Sequence, residues 1–490
     1  MQALPHALYT PAQVRELDRR AIEHEGIPGR VLMARAGRSA WQALQRRWPQ
    51  PGRLLVLCGG GNNGGDGFVI ARRAAEAGWS VDLWTMTDPS RLEGDARRAA
   101  DAALAKMAPI DDPQQALNGA DVVVDALLGT GLDRPVTGHL ATLIDAVNAA
   151  HAPVMSIDVP SGLHAATGRV MGTAVRAAIT PTFIGLKQGL FTGDAADYVG
   201  AILFDGLGVP DTVYAGIAPV AWRLPESALA SALVQRARTA HKGAFGHVRV
   251  LGGDHGMGGA VRMAGEAAAR SGAGRVSVMT RPAHVGAVLA ARPELMVAGL
   301  TAEELREADI AAGDTVALGP GLGQAEWGRC GFERGLQHGG ALVVDADALN
   351  LLATQPQRRD DWILTPHPGE AARLLDTDIQ TVLDDRWASV DALVARYGGV
   401  VVLKGAGTLI ADRHHRRVAN EGNPGMASGG MGDVLTGVIA GLRAQGWSPF
   451  EAACLGVQAH ARAADRAAAG GERGLLAGDV LAHLRAVINP

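Results

Sequence analysis

Hydrophobic positions in the first half of the chain fall in short continuous runs: RLLVLCG at 53–59, VDLWTM at 81–86, DVVVDALL at 121–128 and APVMSIDVP at 152–160. Between them lie Ala- and Arg-rich stretches with apolar residues at helical spacing. Unbroken apolar strands joined by helices predict a parallel sheet covered on both faces. Ahead of the first strand, residues 11–48 read as two helices. From 206 to 224, GLGVPDTVYAGIAPVAWRL breaks the rhythm with Gly and Pro and carries no helical period, so it reads as a linker.

The βα pattern then restarts with HVRVLGG at 247–253, RVSVMT at 275–280, DTVALGPGLG at 314–323, ALVVDADALN at 341–350, DWILTPHPGE at 361–370 and VVVLKGAGTLI at 400–410. Two α/β domains are therefore expected, 1–220 and 221–490, as the 490-residue length also favours.

Composition narrows the function classes. Formal net charge is −4 and no basic run occurs, which argues against a nucleic-acid partner. No stretch is long and apolar enough to span a bilayer, and a cytoplasmic protein is the expectation. Cys58, Cys330 and Cys454 form no spaced metal or disulfide set and read as buried, inert thiols. Of 46 Lys plus Arg, Lys occurs only at 106, 187, 242 and 404. Where Lys persists against that bias, a compact ammonium is the feature that a planar guanidinium cannot supply. Lys242 and Lys404 lie in glycine-flanked motifs, whereas Lys106 sits in a polar helix and needs no special reason.

Chemistry-bearing residues gather where predicted strands end. After the first strand comes GGGNNGGDG at 59–67, a glycine turn before a helix that suits an anionic phosphate group. Its spacing does not match GxGxxG. Asp125 and Asp158 end two further strands, where open α/β sheets bind ligands. Asn63, Asp125 and Ser161 could offer oxygens to a cation, although Asp125 and Asp158 could also cap helices or turns.

These motifs, GGGNNGGDG, DALLGTGLDRPVTG at 125–138 and SIDVPSG at 156–162, resemble in order and spacing the NAD(P)H-hydrate epimerase family. The resemblance covers almost the whole first half and implies a Rossmann-like three-layer sandwich. It further implies that Asn62, Asn63, Gly64, Gly65 and Asp66, with Gly129, Thr130, Gly131, Leu132, Asp133, Arg134 and Pro135, contact the hydrated cofactor. Asn63, Asp125 and Ser161 would hold potassium. Asp158 would be the acid/base group at carbon 6 of the reduced nicotinamide ring. Lys187, in TFIGLKQGL, resembles a family lysine without an assigned role.

In the second half, NPGMASGGMGDVLTGVIAGL at 423–442 places Gly429, Gly430 and Gly432 around a helix start whose first turn holds Asp433. Glycine-nested backbone donors suit a transferring phosphoryl group, and a carboxylate among them suits a base that deprotonates a hydroxyl. Asp433 could alternatively be an acidic helix-start residue. Lys404 in LKGAGT suits a nucleotide phosphate. Asp345 and Asp347 in DADALN could coordinate a metal or cap a helix. His367, between Pro366 and Pro368, is a structural residue or a ligand contact.

Together with HKGAFGHVRVLGG, GMGGAVRMAGEAAARSGAG, GPGLG, DADALN and TPHPGE, these segments resemble the ADP-dependent NAD(P)H-hydrate dehydratases, whose fold is ribokinase-like. By that resemblance Ala260, Gly323, His367 and Asp433 contact the hydrate. Lys404, Gly405, Ala406, Gly407, Thr408 and Gly432 contact the adenine nucleotide. ADP with magnesium would phosphorylate the hydrate, because phosphate leaves more readily than hydroxide. The substrates implied are the hydrates of NADH and NADPH, and the family also implies a homo-oligomer. Met431 stands where a hydroxyl side chain is usual, while Ser428 keeps one. The rival expectation is a vitamin or sugar kinase whose first domain is a noncatalytic nucleotide sensor.

Overall fold

The computed structural model describes residues 4–489, which cluster into two units, one ending at Trp222 and one beginning at Arg223. The strands of the first unit are β1 (Ala7–Tyr9), β2 (Arg53–Cys58), β3 (Ser80–Thr85), β4 (Val122–Ala126), β5 (Val154–Ser156), β6 (Ile179–Phe183), β7 (Leu186–Lys187), β8 (Ala201–Asp205) and, at the boundary, β9 (Ala221–Arg223). Six of them form one sheet in the order β3-β2-β4-β5-β6-β8, parallel throughout.

Alternation along these strands explains the covering layers. Leu54, Val56, Val122 and Val124 pack on one face with the helices Gly29–Arg47 and Asn62–Glu76. Their neighbours Leu55, Leu57 and Val123 pack on the other face with the helix Gly138–Ala149. Successive side chains of a strand point to opposite faces, so a continuous apolar run feeds two cores. The result is the expected three-layer sandwich. The expected pair of early helices is also present, as Pro11–Glu23 and Gly29–Arg47.

The segment read as a linker behaves otherwise. Leu207 and Val213 are buried in the first unit's core, and Ala221 and Trp222 pair with Leu8 and Ala7. Gly and Pro disrupt the helical period here because the segment packs as irregular chain, which periodicity cannot distinguish from a free connection.

The second unit contains β10 (His247–Leu251), β11 (Arg275–Thr280), β12 (Met296–Gly299), β13 (Thr315–Leu318), β14 (Leu342–Val344), β15 (Trp362–Leu364), β16 (Val400–Leu403), β17 (Leu409–Ala411) and β18 (Arg416–Val418). Their order is β12-β11-β10-β13-β14-β15-β16-β17-β18, parallel as far as β16 and antiparallel beyond. The helices Gly258–Arg270, Met431–Ala444 and Pro449–Ala467 bury their apolar faces against Val248, Val250, Val343 and Val402.

In each unit the strand order reverses beside the first strand of the parallel series. The reversal lies between β2 and β4 in the first unit and between β10 and β13 in the second. A crevice at the carboxyl ends of the strands follows at each reversal, the usual ligand position of open α/β sheets. Among the described residues no helix is long and apolar enough to cross a membrane.

Candidate functional sites

In the first unit the glycine motif differs from a plain turn. The helix begins at Asn62, directly after Gly61, so Gly64, Gly65 and Gly67 lie inside it. A Cβ at Gly64 would overlap the Gly59 carbonyl, and one at Gly67 would come within 2.7 Å of Cys58 Sγ and 2.8 Å of Ala126 Cβ. These glycines let the helix start close against the ends of β2 and β4, and leave Asn63 and Asp66 in its first turns.

Asn63 Nδ2 donates to the Leu128 carbonyl at 2.8 Å, while Asn63 Oδ1 is buried without a partner. Asp125, fully buried at the end of β4, accepts from Ser156 Oγ (2.7 Å), Ser161 N (2.9 Å), Leu127 N (3.3 Å) and Ser161 Oγ. Burial raises its pKa against those donors. Leu128 N donates to Ser161 Oγ at 2.8 Å. Asn63 and Ser161 thus bind the same residue, Leu128, beside the Asp125 carboxylate. An orphaned buried amide oxygen next to a buried carboxylate fits a cation.

Asp158 follows β5 with a left-handed backbone (φ 68°). Its Oδ1 accepts from Thr182 Oγ1 (3.0 Å), Phe183 N (3.4 Å) and the ammonium of Lys187, which also donates to Thr182 Oγ1 at 3.0 Å. Lys187 is 1% exposed, a charge held in the fold by its partners. Asp66 and Asp18 share this field. Burial and the Asp158 and Asp18 charges raise the Asp66 pKa well above the ordinary range, with Lys187 opposing. Burial pushes Asp18 up to about 6, Lys187 lowering and Asp158 raising it. Thr130, Leu132 and Arg134 lie on the partly exposed loop after β4, where Arg15 Nη1 donates to the Thr130 carbonyl at 3.4 Å.

In the second unit Gly430 caps the helix Met431–Ala444 with φ 89°, and Asp433 stands in its first turn. A Cβ on Gly432 would lie 3.3 Å from Lys404 Nζ and 3.5 Å from Asp345 Oδ2. Lys404 Nζ donates to Asp345 Oδ1 at 2.8 Å and lies 3.7 Å from Glu370 Oε2; Thr436 Oγ1 donates to Asp345 Oδ2 at 2.8 Å. The Lys404 charge is therefore committed to carboxylates beneath the helix start. Burial would raise the Asp345 pKa, but the Lys404 charge and hydrogen bond together with the Thr436 and Thr365 hydroxyls hold it low. Asp433 receives no hydrogen bond among the described residues. Burial pushes its pKa up to about 7, with the Asp345 and Asp347 charges adding and Lys404 opposing.

Around this point Asp347 Oδ2 accepts from Gly323 N at 2.8 Å. A Cβ on Gly321 would lie 3.2 Å from that of Ala260. His367 caps the helix Pro368–Leu375: its Nδ1 accepts from Gly369 N (3.0 Å) and Glu370 N (3.3 Å), and Glu370 Oε2 accepts from His367 N (2.8 Å). Its Nε2 lies 3.4 Å from Glu370 Oε1, and burial lowers its pKa. Asp345 stands at the start of the helix Ala346–Thr354 without a capping hydrogen bond, and its carboxylate is the partner of Lys404. Ser428 Oγ donates to the Leu475 carbonyl at 3.0 Å, and Met431 is buried in the core. The missing hydroxyl thus leaves a packed position. Exposed Lys242 precedes β10, at the amino end of the sheet and away from these groups.

Two family models match the chain, one in each unit. The family model described as YjeF-related protein N-terminus matches residues 29–189, and that described as NAD(P)H-hydrate dehydratase matches residues 248–485. A bifunctional NAD(P)H-hydrate repair enzyme of Coxiella burnetii is 48% identical over 486 residues, covering 99% of both chains. Its Escherichia coli counterpart is 44% identical over 491 residues, covering 100% of this chain and 95% of the relative. The chain belongs to the bifunctional NAD(P)H-hydrate repair enzymes. A crystal structure of the ADP/ATP-dependent NAD(P)H-hydrate dehydratase of Bacillus subtilis, co-crystallised with ATP and Mg2+, superposes with a TM-score of 0.50 at 29% identity. It covers 54% of this chain and 96% of its own.

For a repair enzyme of this kind, sequence motifs left several site residues unmarked. Asp18 lies in the first helix, outside any glycine motif. Arg386, 2% exposed, points its guanidinium into the loop after β16. It donates to the carbonyls of Leu403 (3.1 Å), Lys404 (3.2 Å), Gly407 (3.1 Å) and Ala406. Satisfying those carbonyls from below fixes the loop that carries Gly405 to Thr408. Nothing in the string DDRWASV signals this. Glu370 was visible only as part of TPHPGE.

Proposed function

We propose that the epimerase and dehydratase activities of this repair enzyme divide between the two units as follows. In the first, Asp158 is the acid/base group for the hydroxyl at carbon 6 of the hydrated dihydronicotinamide: it gives a proton to the departing oxygen as the C–O bond breaks with help from the ring nitrogen, and takes one back as water adds to the other face, with Lys187 holding its carboxylate in place and Asp66 and Asp18 as protonatable neighbours. Asn62 to Asp66 and Gly129 to Pro135 border the cofactor. Potassium fits beside Asn63 Oδ1 and Ser161 Oγ, with Asp125 supplying the negative charge. When bound, that ion would add a fixed positive charge for the cofactor's phosphates.

In the second unit, Asp433 takes the proton of the hydrate hydroxyl as phosphate is transferred from ADP, with ATP as the alternative donor. The backbone N–H groups at Gly432 and along Gly405 to Thr408 receive the phosphates. Ala260, Gly323 and His367 border the hydrate. Magnesium belongs with the nucleotide and would neutralise phosphate charge. Phosphate then leaves carbon 6 while the proton leaves carbon 5 to solvent, which restores the C5=C6 bond of the dihydropyridine ring. The observation that carries this reading is Asp433 itself: a carboxylate at a glycine-capped helix start that accepts no hydrogen bond among the described residues and whose pKa burial pushes up to about 7. A base works best when its pKa lies near the working pH. We place the enzyme in the cytoplasm as a homo-oligomer.

The test is incubation of purified protein with both epimers of NADH hydrate, in ADP or ATP, with and without potassium. Return of dihydronicotinamide absorbance from both epimers is expected. Recovery of one epimer would remove the role given to the first unit. Accumulation of a stable phosphorylated product would replace the dehydratase reading with a kinase.

A further inference from the structure

The first unit has a second concave surface on the outer side of its helices. A cavity of about 800 Å³ lies among the helices Gly29–Arg47, Asn62–Glu76 and Gly94–Leu104. Arg30, Arg35, Arg38, Arg72, Arg73 and Arg98 line it, against the single carboxylate of Asp95. Arg98 Nη1 is engaged with Asp95 Oδ1 at 3.0 Å and Arg35 Nη1 with the Leu207 carbonyl at 2.8 Å. Arg30, Arg38, Arg72 and Arg73 make no side-chain hydrogen bond or ion pair among the described residues, and the buried Arg73 Nε has no partner. The excess of positive charge occurs in a chain whose formal net charge is −4. Choice of Arg over Lys carries no weight, because the chain uses Arg almost everywhere.

Like charges gathered in a concave wall repel one another, and their field concentrates anions there. The floor is apolar, with Met33, Val69 and Ala99. Arg72 is nine residues along its helix from Asn63, about 13 Å by helix rise, so the cavity is separate from the crevice at the strand ends. Its volume falls in the range of small-molecule sites, and guanidinium groups pair bidentately with phosphate.

We propose that this cavity binds a diphosphate or triphosphate group, either as a nucleotide whose base rests on the apolar floor or as the free anion. The site is distinct from both reaction centres and from any nucleotide that serves dehydration.

Calorimetric titration of the full-length protein with ADP, and separately with pyrophosphate, tests it against the double variant Arg38→Glu with Arg72→Glu. Neither side chain contributes a hydrogen bond to the fold, so the variant should keep its circular dichroism and its dehydratase activity. The wild type should take up one more equivalent of ADP than the variant, with affinity at that site reduced on the order of a hundredfold or beyond measurement by the double reversal. That extra binding should weaken steeply with added salt. Pyrophosphate binding lost in parallel identifies the phosphate group as sufficient; ADP alone being lost assigns a part to the base. Equal stoichiometry and affinity in both proteins would overturn the proposal. So would a wild type that takes up no extra anion while the variant changes its sedimentation, since the face would then be a contact between copies.

Discussion

Each unit sets a lysine among carboxylates near the ends of parallel strands, buried in the first and half-buried in the second, yet the two lysines serve different acids. In the first unit Lys187 donates directly to Asp158, the carboxylate assigned the proton transfer. In the second Lys404 donates to Asp345 and adjoins Glu370, while Asp433 is left without a donor. A lysine bound to the working carboxylate orients it. A lysine neutralised by other carboxylates does little to lower the pKa of the one left over, which stays near 7. The same residue types therefore give a fixed carboxylate in one site and a proton-hungry one in the other.

The sharpest way to break this comparison is Asp433→Asn. Dehydration should fall about a hundred- to ten-thousandfold, the usual weight of a general base, while epimerisation continues. Separate assays of ring recovery and epimer exchange read the two outcomes. If dehydration survives, Asp433 is only a helix-start residue. Asp158→Asn should lower epimerisation by a similar factor and leave dehydration of one epimer intact. It also strips Lys187 of its counter-charge, at a cost of about 3–5 kcal/mol in thermal or denaturant unfolding. Adding Lys187→Met should recover much of that stability and none of the epimerisation, separating orientation from chemistry.

A smaller effect is expected from Arg386→Lys, which cannot reach four carbonyls at once. The nucleotide KM should rise roughly tenfold, the weight of one or two charge-assisted hydrogen bonds, with epimerisation unaffected. An unchanged KM would mean that the loop after β16 is held by other contacts. The smallest shift is in pH dependence. Asp433 has a folded pKa of about 7 and an ordinary carboxylate pKa when unfolded, so the folded state binds the extra proton between those values. Its contribution to stability declines as pH rises through that window. Asp433→Asn should thus be more stable than wild type above pH 7 and gain nothing well below the ordinary carboxylate range. The dehydration rate of the wild type should rise with pH and level off above about 7.

Much of the architecture was legible because a parallel strand buried on both faces has to be continuously apolar, and each such run from RLLVLC to VVVL occupies a strand. The scarcity of Lys was also informative, since Lys187 is buried and Lys404 half-buried in ion pairs whereas Lys106 and Lys242 are exposed. The motif around Lys242 lies before β10, at the amino end of the sheet and apart from the groups around Lys404. GGGNNGGDG reads as an anion-binding turn, yet part of its glycine content serves helix packing against strand ends, a demand that only neighbours in space impose.

The linear chain by itself determined the two α/β units, the strand ends and the carboxylates found there, since local periodicity and turn chemistry act over a few residues. Only the tertiary structure decided which carboxylate each lysine neutralises, that Asp18 joins Asp66 and Asp158, that Arg386 anchors a distant loop, and that six arginines from three helices meet in one cavity. Those outcomes depend on electrostatic and packing distances between segments far apart in sequence, and no local pattern encodes such distances.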